Sequence, residues 1–300
     1  MQDLSMPPFT TPSTVLPVSV SQDADPLEVW ERIVAPKYLR HRQLMVAATT
    51  AHGLAAMEYA PPARGERVLD VGTGTGESAL LLAARVGPRG RVLGVDGSAS
   101  FLELARQDLT QSGYSNVAFA ELDAGRHAFG PSFDLCFSQF GTMFFEQPGA
   151  AFRNLRGALH PGGRLLMSVW RSLSHNDWLG LAKGVAERTL GAVPEDAPSC
   201  GPGPFSLASP DTVHALLGAA GFGNIELQEV RCDVNIGDSV EQATDFALDL
   251  GPAGEIVRFF DDADGRARVR AGLAELFAQH LGPEGIQLGS ASWIVSATHS

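Results

Sequence analysis

The sequence predicts an α/β protein with a seven-stranded, mostly parallel sheet, helices on both faces of that sheet and an additional helical cap. Two observations support this prediction. Residues 67–85 combine a short apolar strand, a glycine-dense turn and a helix, which is the opening unit of a doubly wound sheet. Further apolar runs of strand length then alternate with helical segments as far as residue 170, as expected of successive βα units.

The first predicted strand is residues 68–71, a short apolar run rich in β-branched side chains. It contains Asp70 and leads into the glycine-dense turn 72–76, after which residues 78–84 favour a helix with one apolar side. Glycines in such a turn let the backbone approach a ligand with no Cβ in the way. The helix N-terminus adds free N–H groups, so we expect a ligand site at the end of this strand.

The spacing of the glycines distinguishes two classes of ligand. A dinucleotide fingerprint has the form G-x-G-x-x-G, but Glu77 occupies the place of its third glycine. An acid at Asp70 also suits an ammonium group better than a pyrophosphate. The glycines instead have the form G-x-G-x-G, at 72–76, preceded by Asp70 on the strand. Together, residues 68–76 resemble, without a gap, the S-adenosylmethionine (AdoMet) loop of class I methyltransferases, and the resemblance implies their Rossmann-like fold.

The second predicted strand, residues 92–95, ends in Asp96, twenty residues after Gly76. An acid at this place binds ribose hydroxyls in both cofactor classes, so Asp96 alone does not choose between NAD and AdoMet. The sequence from Asp96 through Ser98 is similar to the second methyltransferase motif. A capping box begins at Ser100, and we expect one of these two serines to serve only as a helix cap.

The third and fourth predicted strands, residues 117–122 and 133–140, bring further candidates. The resemblance implies that Asp123 and Ala124, directly after the third strand, contact adenine. Ligands of open α/β sheets bind outside the carboxyl ends of the strands, so the end of the fourth strand is expected to face the cofactor's sulfur and the substrate.

The remaining elements complete the sheet. A helix over 150–159 and a turn at 161–163 precede the fifth strand, 164–170; a helix over 209–220, a strand over 225–234 and a last strand over 290–298 follow. The last two strands fit the antiparallel sixth and seventh strands of this fold. Towards the N-terminus, residues 26–60 have helical spacing, and Pro36 is predicted to separate two helices.

Four regions are expected from these elements. They are a disordered tail at 1–25, an N-terminal helical cap at 26–60, an AdoMet-binding core at 61–172, and the rest of the sheet at 173–300 with helical insertions at 173–205 and 237–285 that form a substrate cap.

Composition and charge exclude several classes of partner. The formal net charge of −12 disfavours nucleic acid and anionic membranes. Three widely separated cysteines fit a reducing, cytoplasmic compartment, and neither a transmembrane run nor a signal peptide is expected. Eight dispersed histidines favour no metal site. A homodimer is compatible with the sequence.

The resemblance implies methyl transfer to oxygen, nitrogen or an activated carbon of a secondary-metabolite or quinone-like molecule. The dispersed histidines predict that this transfer is metal-independent, and the apolar residues of the predicted cap favour a small, largely apolar acceptor. His175, with Asp177 two residues later, is the candidate general base; the alternative is that both are solvated loop residues. Two other functions stay open: an NAD(P)-dependent oxidoreductase and a non-catalytic AdoMet-binding protein.

The candidate site residues fall into two sets. The cofactor set is Asp70, Gly72, Thr73, Gly74, Gly76, Asp96, Gly97, Ser98, Asp123, Ala124, Ser138, Gln139 and Phe140. The substrate and lid set is Tyr38, His41, Phe144 and Trp178, for each of which ordinary packing is the alternative.

Overall fold

The computed structural model describes residues 26–193 and 202–299, so the expected tail at 1–25 lies outside the described residues. The helices are α1 (Pro26–Val29), α2 (Ala35–Arg40), α3 (Arg42–Tyr59), α4 (Glu77–Val86), α5 (Ala99–Ser112), α6 (Pro148–Ala158), α7 (Asp177–Leu190), α8 (Pro210–Ala219), α9 (Val240–Asp249), α10 (Pro252–Phe260) and α11 (Ala263–Ala278). The strands are β1 (Arg67–Val71), β2 (Arg91–Asp96), β3 (Val117–Glu121), β4 (Phe133–Gln139), β5 (Leu159–Trp170), β6 (Gly223–Asn235), β7 (Leu281–Gly282) and β8 (Gly285–Thr298).

The sheet has the strand order β3-β2-β1-β4-β5-β8-β6. Strands β1 to β5 are parallel, and β8 runs antiparallel to both β5 and β6. Within the described residues this path has the seven predicted strands, and the two-residue β7 adds a short hairpin to β8. The chain winds outwards from β1 to β3 and then returns to β4, so the strand order reverses between β1 and β4, where ligands of such sheets bind.

The two faces of the sheet carry separate apolar layers. Along β4, Leu135 and Phe137 pack with α3 and α4 on one face, whereas Cys136 packs with Phe152 and Leu155 of α6 on the other. The alternation follows from the two-residue period of a strand. Because both faces are covered, the central strands are nearly continuous apolar runs, which is why they were recognisable in the sequence.

The N-terminal segment differs from the prediction in one respect. Residues Trp30–Val34 form a π-helix that leads directly into α2. Pro36 lies in the first turn of α2, where its missing N–H breaks no hydrogen bond. The division predicted at Pro36 is therefore wrong: it falls at His41, whose φ of −107° and ψ of 20° separate α2 from α3.

The ends of β5 and β8 also differ from the prediction. The predicted turn at 161–163 lies inside β5, where an irregularity shifts the register with β4. The helical stretch predicted to reach 285 ends at Ala278, and β8 begins at Gly285 rather than at residue 290. Ile286 and Leu288 alternate into the core at 0% and 4% exposure, a pattern that belongs to a strand. No helix in the described part of the chain combines the length and apolarity needed to cross a bilayer.

Candidate functional site

Asp70 is a buried carboxyl group at the carboxyl end of β1. Its Oδ2 accepts hydrogen bonds from Thr73 Oγ1 at 2.7 Å and from Ser78 Oγ at 2.6 Å. Its Oδ1 is buried and has no hydrogen-bond partner among the described residues. Burial raises the pKa of Asp70 to about 6, against the two hydroxyl hydrogen bonds that favour the ionised form. An unsatisfied buried acceptor is costly, so Oδ1 is suited to a donor supplied by a ligand.

The three glycines of the turn all have left-handed backbones, but their surroundings differ. Gly72, Gly74 and Gly76 have φ values of 67°, 57° and 90°. A Cβ on Gly72 would lie 2.8 Å from Gly141 Cα, and one on Gly76 would lie 2.9 Å from Ala105 Cβ. A Cβ on Gly74 would meet no atom within 4 Å. Gly74 therefore borders open space, whereas Gly72 and Gly76 make room for the protein's own packing.

Asp96, at the end of β2, organises the turn that follows β1. Its Oδ2 accepts from Gly74 N at 2.8 Å and its Oδ1 from Ser98 N at 2.9 Å. Burial raises the pKa of Asp96 in spite of these bonds. Ser98 is also the N-cap of α5, because its Oγ accepts from Phe101 N at 3.2 Å. The cap is thus Ser98, and the capping box predicted to begin at Ser100 is not the one that forms.

The residues after β3 are held in a tight turn. Asp123 Oδ1 accepts from Gly125 N at 2.7 Å, and the Asp123 carboxylate lies 3.4 Å from the Arg126 guanidinium. The carbonyl oxygen of Ala124 accepts from Asn154 Nδ2 at 2.8 Å. These contacts are those of a turn-capping acid, and a role for Asp123 and Ala124 in binding adenine stays a prediction.

The end of β4 brings a polar residue and a strained aromatic residue to the same edge. Ser138 Oγ donates to Val71 O at 2.8 Å and so joins β4 to β1. Phe140 has a φ of 60°, a left-handed conformation that is uncommon for a side chain of this size. Its N–H donates to Ser168 O, and its ring stacks on Trp170 with a centroid distance of 3.9 Å.

The first described residues, which include Leu27 and Glu31, lie over the end of β2. The Glu31 carboxylate accepts hydrogen bonds from Ser98 Oγ and, at 3.1 Å, from Ser100 N. This carboxylate complements the positive end of the α5 dipole. A Cβ on Gly97 would lie 2.5 Å from the Leu27 side chain, so Gly97 makes room for that residue.

Aromatic contacts extend this cover, which we define as residues 26–41. The Trp30 ring lies 4.9 Å from Phe144 and 6.4 Å from Phe101. Tyr38 also packs on Phe101, at 4.9 Å, and its burial raises the pKa of its hydroxyl. Tyr38 and Phe144 thus both lie at the boundary between the cover and the strand ends.

Polar contacts to distant residues fix the C-terminal end of this cover, at His41 and the adjoining Arg42. The Arg42 guanidinium contacts Glu77 at 2.6 Å and also pairs with Asp108 on α5. His41 Nε2 lies 2.9 Å from the Asp249 carboxylate of α9. No local pattern predicts these contacts, because the partners are 35 to 208 residues apart in the chain.

Trp178 belongs to a buried aromatic series rather than to an exposed platform. Its ring lies 5.3 Å from Trp170 and 6.2 Å from Phe246, and its Nε1 donates to Asn176 Oδ1 at 3.1 Å. Asn176 is fully buried, and its Nδ2 bonds to Arg171 O, so it shapes the loop after β5. No motif in the sequence marks Asn176, because its partners are set by the tertiary fold.

The structure does not bring His175 to the glycine turn. His175 Nε2 lies 3.0 Å from Arg171 Nη2, and its Nδ1 lies 2.8 Å from Ser172 Oγ. These residues line a cavity of about 550 Å³ beside Trp293. Asp177 is the first residue of α7, outside this lining. A catalytic role for His175 and Asp177 stays a prediction.

The comparison with known families agrees with the geometry at the strand ends. Residues 62–194, which hold the glycine turn and strands β1 to β5, match the family model described as a methyltransferase domain. These residues form a methyltransferase domain. The match runs through the glycine turn and so does not favour the nicotinamide oxidoreductase.

Two curated relatives align with part of this domain. Aklanonic acid methyltransferase DauC of Streptomyces sp. (strain C5) is 32% identical over 124 residues, which cover 41% of this chain and 56% of the relative. The ubiquinone/menaquinone biosynthesis C-methyltransferase UbiE of Pseudomonas aeruginosa (strain LESB58) is 37% identical over 114 residues, 37% of this chain and 44% of the relative. The chain spans about half the length of these relatives.

Solved structures extend the likeness to most of the chain. The YcgJ protein of Bacillus subtilis matches with a TM-score of 0.54 at 17% identity, covering 83% of this chain and 98% of that one. At such identity the likeness concerns the fold, and the predicted Rossmann-like methyltransferase fold is confirmed. Across the described residues, no three His, Cys, Asp or Glu side chains gather where they would hold a metal ion.

Proposed function

We propose that this chain transfers the methyl group of AdoMet to oxygen, nitrogen or an activated carbon of a small, largely apolar molecule. The observation that supports it best is the buried Oδ1 of Asp70, which has no hydrogen-bond partner among the described residues and lies at the strand end whose turn borders open space at Gly74. An ammonium group would donate to that oxygen and compensate its buried charge. The pyrophosphate of a dinucleotide would instead meet the carboxylates of Asp70 and Asp96.

The residues at the strand ends fit the other parts of AdoMet. Each oxygen of Asp96 accepts one backbone N–H, and a carboxylate has about four acceptor positions. Asp96 therefore retains capacity for two ribose hydroxyls. Because it is already held by Gly74 and Ser98, it would bind them without reorganisation. The third strand end, at Asp123 and Ala124, is the proposed adenine contact.

AdoMet supplies a methyl group that its sulfonium has already activated, so the chain must align the acceptor and exclude water. Residues 26–41 would exclude water over the ribose end, where Glu31 and Trp30 lie. We assign the acceptor side to a series of buried aromatic rings that pack on one another, namely Phe140, Trp170, Trp178 and Phe246. Such walls suit an apolar, planar acceptor.

The proposed domain plan follows the same division. We assign the cofactor site to 61–172, the cover to the start of 26–60, and the substrate cap to the insertions at 173–205 and 237–285. Residues 194–201 of the first insertion lie outside the described part of the chain, and the helices of the second end at Ala278. Helix α7 of the first insertion packs on α10 and α11 of the second, which supports a single helical cap. His175 remains the proposed base for acceptors that must lose a proton.

Two measurements test the proposal. Calorimetry should show AdoMet binding well above any binding of NADH. Incubation with a panel of quinones, phenols and aromatic amines, followed by mass spectrometry, should then detect S-adenosylhomocysteine and a product heavier by one methylene. Asp70→Asn should weaken AdoMet binding. The matched control Asp134→Asn should not, because the Asp134 carboxylate accepts from Arg67 N at the other, N-terminal ends of β1 and β4.

The outcomes separate the remaining alternatives. Preference for NADH would overturn the cofactor assignment. Tight AdoMet binding with no turnover of any acceptor in the panel would instead favour a non-catalytic AdoMet-binding protein.

A further inference from the structure

We propose that His52 and Gly53, consecutive residues of α3, position Phe140 and Gln139 at the end of β4 for methyl transfer. This inference rests on the proposed function, because it assigns the end of β4 to the reacting side of the site. His52 and Gly53 would be positioning residues, since their contacts are with the strand end rather than with the reacting groups.

Gly53 is a glycine in the interior of an eighteen-residue helix, where glycine is less stable than alanine. A Cβ at this position would overlap Gln139 Oε1 and would lie 2.6 Å from Gln139 Cδ. The carboxamide of Gln139 therefore occupies the space that a side chain at residue 53 would fill. No other described residue holds this carboxamide by a hydrogen bond, so packing against Gly53 sets its position.

His52 is fully buried, and its ring orientation is fixed by hydrogen bonds on both nitrogens. Its Nε2 lies 2.8 Å from Ser290 Oγ, and its Nδ1 lies 2.8 Å from Ser292 Oγ. Ser290 Oγ donates its own proton to Cys232 O at 2.7 Å, so it accepts from His52 Nε2. Nδ1 then accepts from Ser292, and the neutral ring carries its proton on Nε2.

The ring held in this way meets the strand-end aromatic residues edge-on. Its centroid lies 5.7 Å from that of Phe140 at an interplanar angle of 81°, and 5.0 Å from that of Trp170 at 83°. Phe140 stacks on Trp170 with a left-handed backbone. Such a conformation persists only where the surroundings over-determine it. His52 and Trp170 provide that constraint.

Through these two contacts, helix α3 fixes two consecutive residues at the end of β4. Gln139 presents a donor and an acceptor at the end of β4, and Phe140 presents an aromatic wall. A displacement of about 1 Å at a reacting centre can lower a rate on the order of a hundredfold. Substitutions at His52 or Gly53 should therefore lower turnover more than they lower the affinity for AdoMet.

The decisive test is Gly53→Ala combined with Gln139→Ala. Only the far end of a flexible side chain blocks the new methyl group, so the variant should fold with a Tm close to that of the wild type. Its kcat should fall on the order of tenfold to a hundredfold, while the Kd for AdoMet changes little. In the Gln139→Ala background the same substitution should have no further effect. Gly157→Ala, at a helical glycine of α6 with open space around it, is the matched control.

A second variant tests His52 separately. His52→Gln can still donate to Ser290 but removes the ring edge, so it should lower kcat more than it raises the Kd for AdoMet. A wild-type kcat in both Gly53→Ala and His52→Gln would overturn the inference. So would an equal loss from Gly53→Ala with and without Gln139, because that would indicate general distortion of α3.

A readout independent of turnover separates this inference from the proposed function. The side-chain amide resonances of Gln139, assigned by nuclear magnetic resonance, should shift in Gly53→Ala and not in Gly157→Ala. If the wild type transfers no methyl group, the proposed function fails, but this shift still decides whether Gly53 positions Gln139. An unchanged resonance would contradict the positioning role.

Discussion

The carboxylate of Asp96 accepts a hydrogen bond from the backbone N–H of Gly74 at 2.8 Å. This bond joins the end of β2 to the turn after β1, so the acid proposed to bind ribose also holds the glycine that borders open space. The other carboxylate oxygen, bonded to Ser98 N, connects the same acid to the first turn of α5. Three segments of the site thus depend on one side chain.

Replacing Asp96 by alanine should therefore weaken AdoMet binding and loosen the turn. Loss of a charged acceptor from two ribose hydroxyls should cost on the order of 1.5–3 kcal/mol of binding free energy. Calorimetry with AdoMet measures this, with Asp96→Asn as the variant that retains one acceptor oxygen. An unchanged affinity in Asp96→Ala would show that this strand end does not bind the cofactor.

Alanine substitutions at Gly72 and at Gly74 should differ in their main effect, which is on stability at Gly72 and on AdoMet affinity at Gly74. Both positions have left-handed backbones, so each variant pays a similar conformational cost of about 1–2 kcal/mol. Only at Gly72 does the new Cβ meet backbone, at Gly141 Cα. Gly72→Ala should lose more free energy of unfolding in urea, and Gly74→Ala should lose more AdoMet affinity. If Gly74→Ala binds AdoMet as tightly as the wild type, the open side of the turn is not the cofactor site.

Asp70→Asn should stabilise the ligand-free protein at neutral pH. Burial raises the folded-state pKa of Asp70 from 3.8 to about 6, so the fold favours the protonated carboxyl group. The stability that this group contributes is complete below pH 3.8 and is lost as the pH rises through 6, when Asp70 ionises. The shift of about two units corresponds to about 3 kcal/mol at most. Urea unfolding should show the variant and the wild type converging near pH 4 and separating above pH 6.

AdoMet binding should have the complementary pH dependence. An ammonium group favours ionised Asp70, so the affinity of the wild type should fall as the pH drops below about 6. Asp70→Asn should bind more weakly with little change across this range. Calorimetry at a series of pH values measures both, and a pH-independent affinity in the wild type would mean that Asp70 does not face the ligand's charge.

His52 should make the free energy of unfolding sensitive to acid. Burial lowers its pKa from 6.5 to about 4, so the stability it contributes is present above pH 6.5 and is lost as the pH falls through 4. The shift of about 2.5 units corresponds to about 3 kcal/mol. In denaturant titrations His52→Gln should show a shallower decline between pH 6.5 and 4. Parallel curves for the two proteins would place the titrating group elsewhere.

Two deletions should distinguish the role of the cover in AdoMet binding from the role of α3 in the folded core. Removing residues 1–41 takes away Glu31 and Trp30 but keeps α3, so the sheet should stay folded by circular dichroism while AdoMet binding weakens. Removing residues 1–60 should unfold the protein, because α3 buries Ala56 and Met57 completely against the sheet. A folded 1–60 deletion would show that α3 is dispensable to the core.

The sequence by itself determined the order of the βα units and the location of the cofactor motif. Strands β1 to β4 are short apolar runs with turn residues beside them, and their ends at Asp70 and Asp96 were legible because the motif lies within consecutive residues. Local patterns succeed where the periodicity of one segment fixes which face is buried. Local patterns also predicted the wrong helix break at Pro36 and began β8 too late, because the residues at each of these boundaries were compatible with more than one secondary structure.

Only the tertiary structure decided which polar groups meet. His52 bonds Ser290 and Ser292 across 238 and 240 residues, and Arg42 reaches Asp108 across 66. The tertiary structure also separated the two kinds of glycine in the turn, since the neighbours of Gly72 and Gly76 come from the loop after β4, from β3 and from α5. The physical reason is that a hydrogen bond or a close contact depends on the distance between two atoms in space. Periodicity along the chain encodes which face of an element is buried, but not which distant side chain will lie against it.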